Sequence, residues 1–206
     1  AFSRYFAPDG PAVVWERQSL VKARVVAGGK PSAERGKALV NSAVYEQSWK
    51  QGDVREIYLM RLRMEETAAK NNLKRGPGGV VDIEFIVQML QLLHGKKYKN
   101  LQTPSTLFAL EVLADVGLMG DDTATSLRNA YRLLRKIEGR LRLLDVRLGH
   151  TFPEGYRERN QLANLLNRQD GQALADEVLQ TTRMVRRVFN DIFSQAESQL
   201  AGDKTN

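Results

Sequence analysis

Between Arg75 and Phe85 the sequence reads RGPGGVVDIEF, three glycines and a proline followed by an apolar run that carries Asp82 and Glu84. A glycine-rich turn leaves backbone N–H groups unshielded at a helix start, where they bind an anion or make a tight corner. In the first reading Lys74, Arg75 and the Gly78 and Gly79 amides meet a phosphate. In the second the glycines only turn the chain, and Asp82 and Glu84 complement the positive end of the helix dipole. Two carboxylates in the next turn repel a phosphate unless magnesium or basic residues intervene, which weakens the simple cradle. At about 100° per residue Asp82 and Glu84 point to opposite sides, so helix geometry alone gives them no shared metal ion. Glu84 falls in a narrow polar stripe with Gln88 and Gln91. Asp82 leads the otherwise apolar row Ile86, Met89 and Leu93, where an aspartate either serves the helix start or pairs with a buried arginine.

Other charges fall into rows. Arg17 and Arg24 are seven residues apart and share a helix face, and Trp15 and Lys22 share another. Arg128, Arg132, Arg135 and Arg142 line one side of a long apolar-seamed stretch, with Glu138 placed four before Arg142 for an intrahelical pair. Arg183, Arg186 and Arg187 flank an apolar seam near the end. Such rows are ordinary solvated helix faces or surfaces for a nucleotide, nucleic acid or acidic protein. His94 and His150 each end a helical pattern, where a histidine suits the dipole without a catalytic task. Nothing assembles a nucleophile, a base and an orienting group.

The totals bound the partners. Lys plus Arg number 31 against 24 for Asp plus Glu, giving a formal charge of +7 and a pI near 9.7, which favours anionic partners. With no cysteine, disulfides and thiolate zinc sites are excluded, and two histidines argue against a histidine-rich metal centre or a Ser-His-Asp triad. No apolar run approaches the roughly 18 residues of a membrane span and no signal-peptide pattern opens the chain. A cytoplasmic protein without membrane contact is the expectation. The opening AFSRYFAPDGP reads as the interior of a longer chain.

These residues need helices to position them. Pro11 after Asp9-Gly10 opens a helix expected over about 11–26, with Val14, Leu20, Val21 and Val25 at helical spacing. Ser32 is the expected cap of a second helix ending near Gly52, and Asp53 that of a third. From Val81 to His94 apolar residues occur almost all round, the mark of a buried helix. Thr103 followed by Pro104 reads as a cap with proline at the first helical position. A long helix is expected over about 121–148, with Ala130, Leu133, Leu134, Ile137, Leu141, Leu144 and Leu148 as its seam. A short helix follows over about 156–167, then a last one with Leu174, Val178, Val185, Val188 and Phe189 inward. Residues 201–206 read as a disordered polar tail. With no strand or repeat, the expectation is an all-α domain over 1–200, an antiparallel bundle of about eight helices.

VVWERQSLVKARVVAG, followed some fifty residues on by NLKRGPGGVVDIEFIVQMLQLLHG, resembles the glutamine synthetase adenylyltransferase family, also called glutamate-ammonia ligase adenylyltransferase. The likeness rests on Trp15, Glu16, Arg17, Lys22, Ala23 and Arg24, and on Gly76, Gly78, Gly79, Asp82, Ile83, Glu84 and Phe85. YRLLRKIEGRLRLL and VRRVFNDIF sit at suitable places, so the resemblance covers nearly the whole chain. It implies a helical domain downstream of a nucleotidyltransferase catalytic domain, in an enzyme that moves AMP from ATP onto a tyrosine of glutamine synthetase and removes it by phosphorolysis. It also implies that Mg2+ and ATP are bound mainly by that catalytic domain, whose Gly-Ser and Asp-x-Asp signature does not occur here. The implied partners are the catalytic domain, glutamine synthetase and a PII-type signal protein, with nucleic acid the less fitting alternative. Asp82 in the Asp-Ile-Glu-Phe stretch is similar to the second, adenylylating unit, while VRRVFNDIF resembles the end of the first as well. On this reading Arg17, Lys22, Arg24, Lys74 and Arg75 supply positive charge to phosphates or catalytic carboxylates, with Gly78 and Gly79 forming the corner. Trp15, Asp82 and Glu84 order the surroundings, Asp82 by holding one of those arginines, and the chain by itself contributes no catalytic residue.

Overall fold

A computed structural model describes residues 1–50, 52–144 and 149–202. Among them the chain forms nine α-helices: α1 (Phe2–Tyr5), α2 (Val14–Leu20), α3 (Lys30–Tyr45), α4 (Asp53–Glu66), α5 (Val80–His94), α6 (Thr106–Asp115), α7 (Asp121–Leu144), α8 (Tyr156–Leu165) and α9 (Gly171–Gly202). A 3-10 turn, Lys99–Leu101, joins α5 to α6. No strand occurs among the described residues, and one isolated antiparallel bridge pairs Asn72 with Thr151. The fold is an all-α antiparallel bundle, as the sequence leads one to expect.

α5 is the axis. Ile83, Ile86, Val87 and Met89 are fully buried, and even Gln88 and Gln91 lose nearly all contact with water because α2, α3, α4, α6, α7 and α9 all pack against this helix. A helix apolar all round is stable only when covered on all sides. α7 presents a single seam, Leu127, Leu134, Ile137 and Leu141, each fully buried, while its arginines face outward. α9 buries Leu174, Val185 and Phe189, stacks Phe189 on Tyr58 of α4 at a ring separation of 5.6 Å, and sets Phe193 tilted against both rings, 5.8 Å from Tyr58 and 4.5 Å from Phe189. One continuous apolar cluster results, from Val14 of α2 to Ala196 of α9.

Several helix ends differ from the sequence expectation. The first long helix, expected to reach residue 26, ends at Leu20, and Val25 is 48% exposed. Its start is fixed by Glu16, whose carboxylate accepts from Val13 N at 3.0 Å. α3 begins at Lys30 with Pro31 in its first turn, two residues before the Ser32 cap. At α4 the cap is Gly52 in the left-handed region (φ +93), and Asp53 is the first helical residue. Asp53 is then free to accept from Lys50 N at 3.0 Å and to pair elsewhere. Ser105, not Thr103, caps α6 by accepting from Phe108 N at 3.3 Å. α8 closes at Leu165, and Asp170 caps α9 through Gln172 N and Ala173 N. The expected seam residue Leu148 lies outside the described residues. Ala201 and Gly202 continue α9, and the remainder of the expected tail, 203–206, is likewise outside them.

Candidate functional site

The glycine corner is built by its own backbone. Asn71 takes a left-handed conformation (φ +57), and the Asn72 side chain accepts from Lys74 N and Arg75 N at 3.0 and 2.8 Å, closing a tight turn. Leu73 N donates to His150 O at 2.7 Å, tying this turn to the segment after α7. Gly78 is left-handed (φ +70), and a Cβ there would overlap the Thr182 carbonyl of α9. Glycine is therefore required by close helix approach as well as by φ.

The amides that invite an anion in the sequence have partners inside the protein. Gly78 N donates to Asp82 Oδ2 at 2.7 Å, and Gly79 N donates to Gly76 O at 3.0 Å. Asp82 has no exposed surface, and neither has Arg61 of α4, whose Nε lies 2.5 Å from Asp82 Oδ1 as an ion pair without linear hydrogen-bond geometry. Arg61 Nη2 also donates to Gly76 O at 2.9 Å. Arg186 of α9 bridges Asp82 Oδ2 at 3.2 Å and Glu65 Oε2 at 2.8 Å, and Glu65 approaches Arg61 at 3.3 Å. The neighbouring carboxylates hold the Arg186 guanidinium above its ordinary pKa even though burial acts in the opposite direction and is the largest single influence. Two cations and two anions from α4, α5 and α9 thus close on the glycine corner with no net charge, the condition under which buried charge is tolerated.

A second polar constellation joins the two sequence motifs. Arg17 pairs with Asp53 at 3.1 Å, and Gln18 donates to Gln88 of α5 at 2.9 Å. Lys22, just past α2, donates to Pro104 O at 3.1 Å and to Thr106 Oγ1. Glu84 accepts from the Tyr131 hydroxyl of α7 at 3.0 Å. Burial lowers the Lys22 pKa, Glu84 acts against that, and Arg135 adds to it. Burial and then Glu84 raise the Tyr131 pKa. Arg135 reaches Glu138 at 2.8 Å, and the opposite oxygen of Glu138 lies 2.8 Å from His150 Nδ1.

Lys22 and Glu84 thus lie in one neighbourhood, while Asp82 sits on the far side of α5 with Arg61 and Arg186. Arg17 stands with Asp53, and Trp15 is half-buried on α2. Arg24 is exposed, and Arg75 folds back to Thr67, donating to its hydroxyl at 3.4 Å and its carbonyl at 3.3 Å. Lys74 is half-buried beside the Asn72 turn. Arg186 and Tyr131 fall in stretches singled out in the sequence but without these roles, while Arg61 and Glu65 escape a reading by motif. Arg61 still leaves a trace, because it follows the buried Val54 and Ile57 at the next core-facing position of α4.

Among the described residues no group of three or more His, Cys, Asp or Glu side chains is arranged to hold a metal ion. The residues here do not fit magnesium at the glycine corner, since the carboxylates of Asp82 and Glu65 are already taken up by Arg61 and Arg186. No described helix is long and apolar enough to cross a membrane.

Residues 55–193 match the family described as GlnD PII-uridylyltransferase. Over 204 residues, 97% of the chain and 22% of the relative, it is 31% identical to the bifunctional glutamine synthetase adenylyltransferase/adenylyl-removing enzyme of Xanthomonas campestris pv. campestris strain B100. The enzyme of that name from Streptomyces coelicolor is 38% identical over 159 residues, 75% of the chain and 16% of the relative. That of Mycolicibacterium smegmatis is 33% identical over 208 residues, 93% of the chain and 20% of the relative. The chain therefore spans about a fifth of the length of these relatives. It belongs to the family described as GlnD PII-uridylyltransferase, within which its described residues form a helical domain.

Proposed function

We propose that this chain is the helical, substrate-positioning domain that follows a nucleotidyltransferase domain in a glutamine synthetase adenylyltransferase. The parent enzyme transfers AMP from ATP to a tyrosine of glutamine synthetase and reverses this by phosphorolysis. The observation that carries the reading is the run of similarity along 97% of the chain to a bifunctional adenylyltransferase/adenylyl-removing enzyme. ATP and Mg2+ belong to the catalytic domain, which supplies the reacting groups, and the cytoplasm is the compartment such a substrate requires. The helices contribute a rigid frame. The Arg61–Asp82–Arg186–Glu65 cluster fixes α4, α5 and α9 at the glycine corner, and α2 is lashed to α5 by Gln18 and Gln88. The exposed Arg24, beyond the end of α2, is the cation of the first motif best placed to reach phosphate or catalytic carboxylates.

The test compares AMP incorporation into glutamine synthetase by the parent enzyme, by its Arg24→Ala variant and by the 206-residue chain alone. The expected result is activity in the parent, a loss of about tenfold for Arg24→Ala, the size of one charge-assisted contact, and none above background for the chain. Turnover of ATP by the chain alone overturns the proposal.

A second reading is favoured by the description of the matched family, which names PII. In it the helices are mainly a docking surface for a PII-type signal protein. Capture of such a protein by the chain without any catalytic domain, together with unchanged AMP transfer by Arg24→Ala, supports the second reading over the first.

A further inference from the structure

The outer face of α7 and α9 carries a groove of about 490 Å³ that none of the preceding chemistry uses. Its floor is Ala130, Leu133 and Met184, and its outer wall is Arg132 and Lys136, exposed and one helical turn apart. The other cations near it are occupied. Arg128 pairs with Glu111 and Arg135 with Glu138, and Arg168 grips Glu177 through two parallel contacts of 2.6 and 2.7 Å. Arg132 and Lys136 have no ion-pair partner among the described residues. Of the basic row Arg128, Arg132, Arg135 and Arg142, the structure pairs Arg128 with Glu111 and Arg135 with Glu138, and sets Arg132 beside Lys136 at the groove.

We propose that this groove docks an acidic, partly apolar stretch of a partner protein, with two carboxylates one helical turn apart meeting Arg132 and Lys136 and an apolar side chain resting on Leu133 and Met184. Charge complementarity selects carboxylates. The apolar floor selects a protein over a nucleic acid, because Leu133 and Met184 offer a phosphate chain nothing to bind, and the mutually paired Arg168 and Glu177 add no net charge at the α8 end. The surface is distinct from the glycine corner and from Arg24, so it stands or falls independently of the catalytic partner proposed above.

The experiment measures fluorescence anisotropy of the 206-residue chain with a fluorescein-labelled helical peptide of twelve residues, carrying glutamates four apart and leucines between them. Its glutamine counterpart and a mixed-sequence single-stranded RNA of twenty nucleotides are the competing probes. The glutamate peptide is expected to bind, the glutamine peptide to bind at least tenfold more weakly, and Arg132→Glu/Lys136→Glu to lose at least tenfold in affinity. Arg35→Glu/Lys37→Glu on the exposed face of α3 makes the same change in net charge and is expected to stay within twofold. Should the glutamate reversal fail to fold by circular dichroism, Arg132→Gln/Lys136→Gln is measured instead, with at least a fivefold loss expected. Equal losses for the α3 and α7 variants, indifference to peptide charge, or RNA binding that outcompetes the peptide and depends on Arg132 and Lys136 would overturn the proposal.

Discussion

At the scale of single residues, the arginine that matters most for the fold is one that no motif announces. Arg61 is wholly buried and holds both Asp82 and the Gly76 carbonyl, so it fixes the glycine corner from behind. Replacing it by Met leaves Asp82 with Arg186 and the Gly78 amide, and breaking a buried pair from one side costs about 3–5 kcal/mol. Urea unfolding of Arg61→Met is expected to show that loss; a change below about 1 kcal/mol would mean that Arg186 suffices. His94 gives a second outcome. Burial, and then Lys97, lower its pKa in the folded state, so the unfolded chain takes up a proton first as pH falls. The His94 contribution to stability is therefore full above the ordinary histidine range near 6.5 and declines as pH drops from there towards the lower folded pKa. His94→Gln is expected to flatten that part of the stability–pH profile, read by urea midpoints at pH 7.5 and 5.5. In the sequence an aspartate in an apolar row either serves the helix start or pairs with a buried arginine. Which arginine it meets is not legible there, because Arg186 lies 104 residues away and only tertiary packing brings it near.

At the scale of elements, periodicity carried the long helices and local chemistry moved their ends. The seam of α7 stands out in sequence because its apolar residues recur on one side, and the all-apolar circumference of α5 predicts its central place. The first helix falls short because Lys22 turns to the Pro104 carbonyl and Thr106, contacts from 82 and 84 residues away that no local pattern encodes. Ser105 displaces Thr103 as a cap for a local reason, since its hydroxyl is the one that reaches Phe108 N. Gly139 offers a test at this scale. It lies inside α7, is exposed, and a Cβ placed on it would meet no atom within 4 Å. Glycine is then only an entropic burden on the helix, and Gly139→Ala is expected to stabilise the chain by about 0.5–1 kcal/mol. In calorimetry this corresponds to a rise of about 1–4 °C in Tm. A fall in Tm would show that α7 needs that position bare for a neighbour.

At the scale of the whole molecule, the question is whether the nine helices of the described residues behave as one unit. The apolar cluster is continuous from α2 to α9, and the two motifs read separately in sequence meet through Gln18 and Gln88 and around Lys22 and Glu84. Segments joined by such a core should unfold together even though the chain is longer than most two-state domains. The sequence provides two well-placed reporters. Both tryptophans, Trp15 and Trp49, lie in the first 50 residues, and Trp49 donates to Leu92 O of α5 at 3.3 Å. Far-UV ellipticity is dominated instead by the later helices, with 24 residues in α7 and 32 in α9. If residues 1–200 form one domain, tryptophan fluorescence and ellipticity must give the same urea midpoint. Leu134→Ala, which empties a fully buried position in α7 at a cost of about 2–5 kcal/mol, must then move both midpoints by an equal amount, although neither tryptophan belongs to that helix. A fluorescence midpoint that stays in place while ellipticity shifts would divide the chain into an N-terminal unit and a separate bundle. The frame that holds the glycine corner would then be α4 to α9 alone.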